Sequence, residues 1–309
     1  MQITHGFPSS EGPCALTIGN FDGLHRGHLA MLEKLKAEAS ARGLRTCVLT
    51  FEPHPREFFS PAQAPTRLTS LREKAELLKV AGVDRLHVLR FNQTLAALSP
   101  ENFIEHAVVK TLDARWVLVG DDFRFGAKRA GDFALLKAAG AQHGFETEFL
   151  PTVTVEGVRS SSTAVREALA EGDMDKAARL LGRPYSITGR VFHGDKLGRS
   201  IGFPTANIQL RHNRPPLSGI YVVEVWGIAN TPLQGAASLG VRPTVRENGR
   251  PTLEAFIFDL DRDLYGQRLR VDFLKKLRDE EKYPDLPSLV AQIQRDVANA
   301  KSFFATRHG

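Results

Sequence analysis

Cysteine is scarce in this chain. The 309 residues hold two, Cys14 and Cys47. Each lies in a short apolar run, without the close Cys/His spacing that a zinc site requires, so two buried thiols are expected. Long apolar runs are missing as well. No stretch approaches the roughly 18 uncharged apolar residues of a membrane span, and residues 1–13 lack a basic segment leading into an apolar one. A cytoplasmic protein with no membrane partner is the expectation. Charge of one sign is nowhere concentrated: the net +6 comes from 41 basic and 35 acidic residues interspersed along the chain. No nucleic-acid partner is therefore implied, although mild basicity suits polyphosphate substrates.

What is present reads as a folded, soluble chain, with 42% apolar and 25% charged residues. At roughly 100–200 residues per domain, the length favours two domains. The first half alternates strand-like and helix-like runs: strand 14–19, helix 26–42, strand 44–51, strands 85–89 and 115–119, helix 132–143 and strand 145–150. About five strands with helical crossovers predict an α/β domain with an open parallel sheet, whose ligands bind at the strands' carboxyl ends. Ser70 with Glu73, and Ser99 before Pro100, mark further helix starts. Two helical segments, 162–170 and 174–181, lead to Gly182, where the period changes. We place the boundary there, giving domains 1–182 and 183–309. Beyond it, period-two runs at 185–192, 219–225, 253–258 and 269–273, separated by Gly, Pro and Asn turns, predict a small antiparallel β-barrel. A closing helix, 286–300, carries Leu289, Ile293 and Val297 on the face expected to lie on that barrel.

The strongest signal is Gly19-Asn20-Phe21-Asp22-Gly23-Leu24-His25-Arg26-Gly27-His28, between the first strand and the first helix. Glycines at a helix N-terminus let a backbone approach phosphates, the helix dipole adds positive potential, and His25 and His28 supply donors. A bare His-x-x-His is more often a surface feature, and as a metal site this one lacks a fitting third ligand.

In context, the segment resembles the His-x-Gly-His signature of the nucleotidylyltransferase superfamily, in the form found in prokaryotic FAD synthetases. Thr50 to Pro55, Gly120 to Gly126 and Ser161 to Arg166 resemble that family's other motifs, in its order. The resemblance implies a Rossmann-like domain in which an FMN phosphate oxygen attacks the α-phosphorus of ATP. It makes His25 and His28 catalytic. Nucleotide binding falls to Gly19, Asn20, Phe21, Asp22, Gly23, Gly27, Ser161, Ser162, Thr163 and Arg166, and the flavin side to Asp122, Phe123, Arg124 and Phe125. Simple N-capping by the serines, and core packing of the phenylalanines, remain open beside these roles. An extra serine, Ser160, precedes the matched pair.

From Gly194 to Gly202 the chain forms a basic, Gly-rich loop that is not a Walker A sequence. It runs into Gly202-Phe203-Pro204-Thr205-Ala206-Asn207, which resembles the hallmark of riboflavin kinases. That resemblance assigns Gly194, Lys196, Gly198, Arg199 and Gly202 to nucleotide, Thr205 and Asn207 to Mg²⁺, and Arg242 to flavin. Thr205 and Asn207 are two apart on an extended segment and share a side, and hard oxygens suit Mg²⁺. A kinase acting on an alcohol needs a base, and the family's glutamate before an Asp-Leu-Tyr-Gly turn corresponds to Glu254 before Asp263 to Gly266. Where relatives carry valine and histidine after it, this chain has Ala255 and Phe256. Together the motifs imply a bifunctional enzyme with ATP, riboflavin, FMN and FAD as substrates or products. The rivals are an adenylyltransferase for another phosphate ester, a flavin- or nucleotide-binding regulator without turnover, and an RNA-binding module. Assembly into a homo-oligomer is left open.

Overall fold

The computed structural model describes residues 1–194, 198, 201–210, 214–241 and 251–307. These fall into two compact units, Met1–Pro65 with Leu71–Ser161, and Thr66–Ser70 with Ser162–Gly309. The helices Ser162–Glu171 and Met174–Leu181 thus group with the second unit.

The first unit is built on a six-stranded parallel sheet of β1 (Gln2–His5), β2 (Cys14–Ile18), β3 (Arg45–Glu52), β4 (Arg85–Arg90), β5 (Ala114–Gly120) and β6 (Glu146–Leu150), in the order β1-β4-β3-β2-β5-β6. Strands buried on both faces read as continuous apolar runs, and β2 is buried at every position. On one face Leu16, Cys47, Leu49 and Val117 pack with Phe103, Ala107 and Leu136. On the other, Ala15, Val48, Leu86 and Trp116 pack with Leu32 and Leu35 of the Arg26–Ala41 helix and Leu78 of the Leu71–Val80 helix. Both cysteines are buried free thiols. The sheet has one strand more than expected. β1 is mostly exposed and carries no periodic signal; it is added along β4, where His87 lies 2.8 Å from Thr4 Oγ1 and 2.9 Å from the Gly6 carbonyl. The helix opening at Pro100 widens its pattern after Phe103 and continues as a π-helix, Ile104–Thr111. A short antiparallel ribbon, β7 (Thr154–Val155) with β8 (Val158–Arg159), follows β6.

The second unit is a closed antiparallel barrel of β9 (Tyr185–Phe192), β10 (Thr205–Ile208), β11 (Gly219–Trp226), β12 (Leu233–Val241), β13 (Pro251–Ile257) and β14 (Arg268–Arg278), ordered β10-β13-β12-β11-β14-β9. Closure removes the exposed strand edges of an open sheet. Along β13 fully buried and half-buried residues alternate. The closing helix runs further than expected, Leu286–Arg307. Its buried line is Asp296, Ala300 and Phe304, with Val297 half-buried against the same cluster as Phe258 and Leu274. Leu289 and Ile293 are likewise only half-buried. A carboxylate is tolerated in that line because Arg278 grips it.

Candidate active sites

The chain leaves β2 toward β3 and β4 on one side and later returns to β5 and β6 on the other, so the strand order reverses between β2 and β5. A crevice at the carboxyl ends of such a pair is where doubly wound sheets bind ligands. Both adjoining loops carry expected site residues: Gly19 to His28 after β2, and Gly120 to Gly126 after β5.

The first loop is tightly wound. Phe21, Gly23 and Leu24 have φ of 48°, 81° and 43°. For the two bulky residues this left-handed backbone costs about 1–2 kcal/mol each, and it is held because both side chains are buried among Met31, Leu32 and Leu118. The turn sets His25 at the N-cap of the Arg26–Ala41 helix, whose first turn has no acidic residue, so its positive end is not neutralised locally. The His25 and His28 rings stack at 3.7 Å between centroids, and Phe21 lies 4.8 Å from His28. Burial, followed by the neighbouring His25 and Lys74 charges, holds the His28 imidazole well below its usual range. It is therefore neutral at pH 7. Its Nδ1, and Oδ1 of Asn20, are buried with no hydrogen-bond partner among the described residues, which marks a place where polar ligand atoms would be satisfied. Gly27 is closely confined, since a Cβ would lie 3.1 Å from the His25 ring and the Ser160 carbonyl, so that a side chain there would press on both. Asp22 is buried beside this turn, and a Cβ on Gly19 would meet the Phe21 ring at 3.1 Å.

Two residues here were given no role by the sequence reading. Lys74 is buried and donates through Nζ to Thr50 Oγ1 at 3.2 Å, while Thr50 Oγ1 donates to the Asn20 carbonyl at 3.3 Å. Its only sequence signal was its place beside Ala75 and Leu78 on the buried side of a helix. Ser160 is buried against His25 and Gly27.

In the loop after β5, Asp122 pairs with Arg159 at 2.9 Å and Arg124 with Asp132 at 3.3 Å, while Asp121 accepts from the Thr152 hydroxyl at 2.7 Å. Phe125 is buried against Phe103, and Phe123 stacks on it at 5.2 Å, half-buried. Phe91, Phe58 and Phe59 make mutual edge contacts, and Phe59 is 64% exposed. That exposed aromatic surface was also missed; its signal was the Phe-Phe pair just after the Thr50 to Pro55 motif. Ser161 ends the first unit. Ser162, Thr163 and Arg166 open the first helix of the second, where Arg166 Nε donates to the Thr66 carbonyl at 2.6 Å.

On the barrel, β10 and β13 pair with Asn207 opposite Glu254 and Thr205 opposite Phe256. Thr205 Oγ1 donates to Glu254 Oε2 at 3.3 Å. Glu254 and Phe256 are half-buried on the outward side, and Phe256 meets Phe203 edge-on at 5.4 Å. Phe258, just past the strand's end, meets Phe256 edge-on at 5.7 Å and packs under the closing helix. The glycines hold the loop close to the oxygens: a Cβ on Gly194 would fall 2.5 Å from the Asn207 amide carbon, and one on Gly198 2.3 Å from the Phe203 carbonyl and 3.3 Å from Thr205 Oγ1. Gly202 has φ of 86°, a turn that favours glycine. Lys196, Arg199 and Arg242 lie outside the described residues. A pocket beside these oxygens is lined by Val191, Pro204, Thr205, Ala255, Leu264 and Tyr265, and the His193 ring lies tilted against Tyr265 with centroids 3.7 Å apart.

Comparison with known proteins separates the same two regions. The FAD synthetase family model matches residues 7–164, and the riboflavin kinase model residues 181–304. A bifunctional riboflavin kinase/FMN adenylyltransferase of Escherichia coli (strain K12) is 50% identical, covering 98% of each chain. The protein of that description from Pseudomonas fluorescens is 47% identical over 99% of this chain and 98% of its own. A solved structure from Streptococcus pneumoniae, described as a macrolide-efflux protein, is similar with a TM-score of 0.81 and 29% identity, covering 96% of this chain and 97% of its own. No helix among the described residues is long and apolar enough to cross a membrane.

Proposed function

The chain belongs to the bifunctional riboflavin kinase/FMN adenylyltransferase family, a transferase that makes FMN from riboflavin and FAD from FMN with ATP, and from that premise we propose which residues perform each step. The functional division is 1–182 for adenylyl transfer and 183–309 for the kinase. The substrates, riboflavin, FMN and ATP, are small free molecules, which accords with a cytoplasmic enzyme without nucleic-acid or membrane partners.

In adenylyl transfer, an FMN phosphate oxygen bonds to the α-phosphorus as the bond from that phosphorus to the bridging oxygen breaks and pyrophosphate leaves. A phosphate monoester is already anionic, so no base is needed and the work is positioning and charge stabilisation. His25 and His28 donate to oxygens of the transferred group. Gly19 to Gly23 and Gly27 let the phosphates reach the helix N-terminus, and Ser161, Ser162, Thr163 and Arg166 supply hydroxyls, backbone N–H groups and charge. Asp122, Phe123 and Arg124 lie on the flavin side, with Phe125 supporting Phe123 from beneath. The stacked His25 and His28 at the un-neutralised helix end carry this half of the reading.

In the kinase step, the ribityl hydroxyl bonds to the γ-phosphorus, its proton passes to the Glu254 carboxylate, and ADP leaves. The register of Asn207 against Glu254, with Thr205 bonded to that glutamate, carries this half. Thr205 Oγ1 and the Asn207 amide oxygen are hard donors that fit Mg²⁺, an ion held by few protein oxygens together with substrate phosphates. Bound there, Mg²⁺ would neutralise phosphate charge. Nucleotide binding is assigned to Gly194, Lys196, Gly198, Arg199 and Gly202, and flavin binding to Arg242.

Chromatography of products from riboflavin and ATP tests the assignment. Glu254→Gln is expected to stop FMN formation and leave FMN-to-FAD conversion, and His28→Ala to do the reverse. Loss of both activities in either variant contradicts it.

A further inference from the structure

The outward face of the barrel carries a row of polar side chains that crosses β10, β13 and β12. Asn207 stands opposite Glu254, and Glu254 opposite Ser238. Residues directly opposite in an antiparallel pair point to the same face. At Ser238 the row gains another carboxylate, because Ser238 Oγ donates to Glu280 Oε1 at 3.1 Å. Glu280 belongs to the segment after β14, which is pinned just before it where Arg278 grips Asp296. Its carboxylate rests directly on β12 only because Gly240 has no side chain; a Cβ there would overlap both carboxylate oxygens.

The order of the row sets a direction. With phosphates and Mg²⁺ at Asn207 and the reacting hydroxyl at Glu254, the rest of the alcohol extends away from the phosphates, over Ser238. Neighbouring strands are about 4.8 Å apart, the reach of a few C–C bonds of about 1.5 Å, so inner hydroxyls of a polyol chain come within reach of Glu280. A carboxylate has several acceptor sites, and Ser238 fills one of them. We propose that Glu280 is a specificity-determining residue of the kinase step, accepting a hydrogen bond from an inner hydroxyl of the ribityl chain. Ser238 and Gly240 hold it in place, while Glu254 alone takes the proton. The substrate class selected is a polyol rather than a simple alcohol, since an alkyl chain would cover the carboxylate without giving it a donor.

The inference rests on the reading of Glu254 as the base, and the test separates the two. Full-length Glu280→Ala, Gly240→Ala and Glu254→Gln proteins are assayed for phosphorylation of riboflavin and of an analogue whose side chain, of the same length, keeps only the terminal hydroxyl. Melting temperature and FMN-to-FAD conversion are the controls. The unaltered protein is expected to favour riboflavin roughly 10- to 100-fold in kcat/KM, the scale of a hydrogen bond to a charged group. Glu280→Ala should remove that preference, raising KM for riboflavin while KM for ATP and kcat/KM for the analogue stay put. Gly240→Ala, which pushes the carboxylate aside without altering it, should reproduce the loss, and combining it with Glu280→Ala should add nothing further. An unchanged preference in Glu280→Ala overturns the proposal, as does an equal fall for both flavins. FMN formation by Glu254→Gln overturns the base assignment instead, and the preference between the two flavins then decides Glu280 alone.

Discussion

Arg278, at the end of β14, holds Asp296 of the closing helix in a forked ion pair: Nη2 lies 2.7 Å and Nε 3.0 Å from the carboxylate oxygens. Gln292 donates to the same carboxylate at 2.9 Å, and both charged side chains are largely buried. Removing one partner would strand the other charge in a low-dielectric setting, at about 3–5 kcal/mol. Asp296→Ala should therefore lower the thermal midpoint of the kinase unit strongly. Arg278→Met combined with Asp296→Leu should recover most of the loss, which calorimetry can read. Full loss in the double variant would mean the pair contributes more than its own neutralisation.

Gly27 is closely confined by its neighbours in the turn. Gly27→Ala would place a methyl 3.1 Å from the His25 ring and the Ser160 carbonyl. Displacement of a catalytic group by even a fraction of an ångström is costly, and about 100-fold is a reasonable scale for 1 Å. The expected outcome is a 10- to 100-fold lower FAD-forming rate, on the order seen for such misplacement, with riboflavin phosphorylation unchanged. Wild-type FAD formation would show that the neighbours yield without consequence.

Phe59 is the most exposed member of its aromatic group. A planar apolar ring facing solvent suits stacking on a planar flavin. Phe59→Ala is expected to raise KM for FMN in adenylyl transfer several-fold while KM for ATP and the melting temperature stay put. By contrast, Phe125→Ala opens the core and should cost about 3–5 kcal/mol of stability.

His87 anchors the edge strand, and burial is the main cause that holds its imidazole below the usual range. A folded-state value below the unfolded one of about 6.5 means that the unfolded chain binds the extra proton first. The stabilisation is therefore complete above about pH 6.5 and is lost as pH falls through the folded value. His28 is shifted in the same direction and contributes in the same way. Melting temperatures of His87→Gln and the unaltered protein should converge as pH is lowered from 7 to 5, about the range of the histidine titration. Parallel curves would remove His87 from the acid response.

The motifs at Gly19 to His28 and Gly202 to Asn207 were legible because they are local: the residues that make the turn, the helix start and the oxygen pair lie within a few positions of one another. Period also told the α/β half from the barrel, since side chains alternate along strands and recur each turn along helices. Less was legible where neighbours come from far along the chain. β1 carries no pattern because one side of it is bare, and only pairing with β4 makes it a strand. Asp296 looks like a surface charge until Arg278 is brought beside it.

Composition, order of motifs and local spacing thus determined the two kinds of fold and the family's chemistry and supplied the residues proposed for it, because each depends on short-range geometry and side-chain type. The tertiary structure alone decided that the Ser160 hydroxyl meets the His25 ring across more than a hundred residues, that Lys74 is buried with Thr50, and that Asn207 faces Glu254. Contacts of that kind arise from strand order and barrel closure, which bring together groups that no period or motif relates.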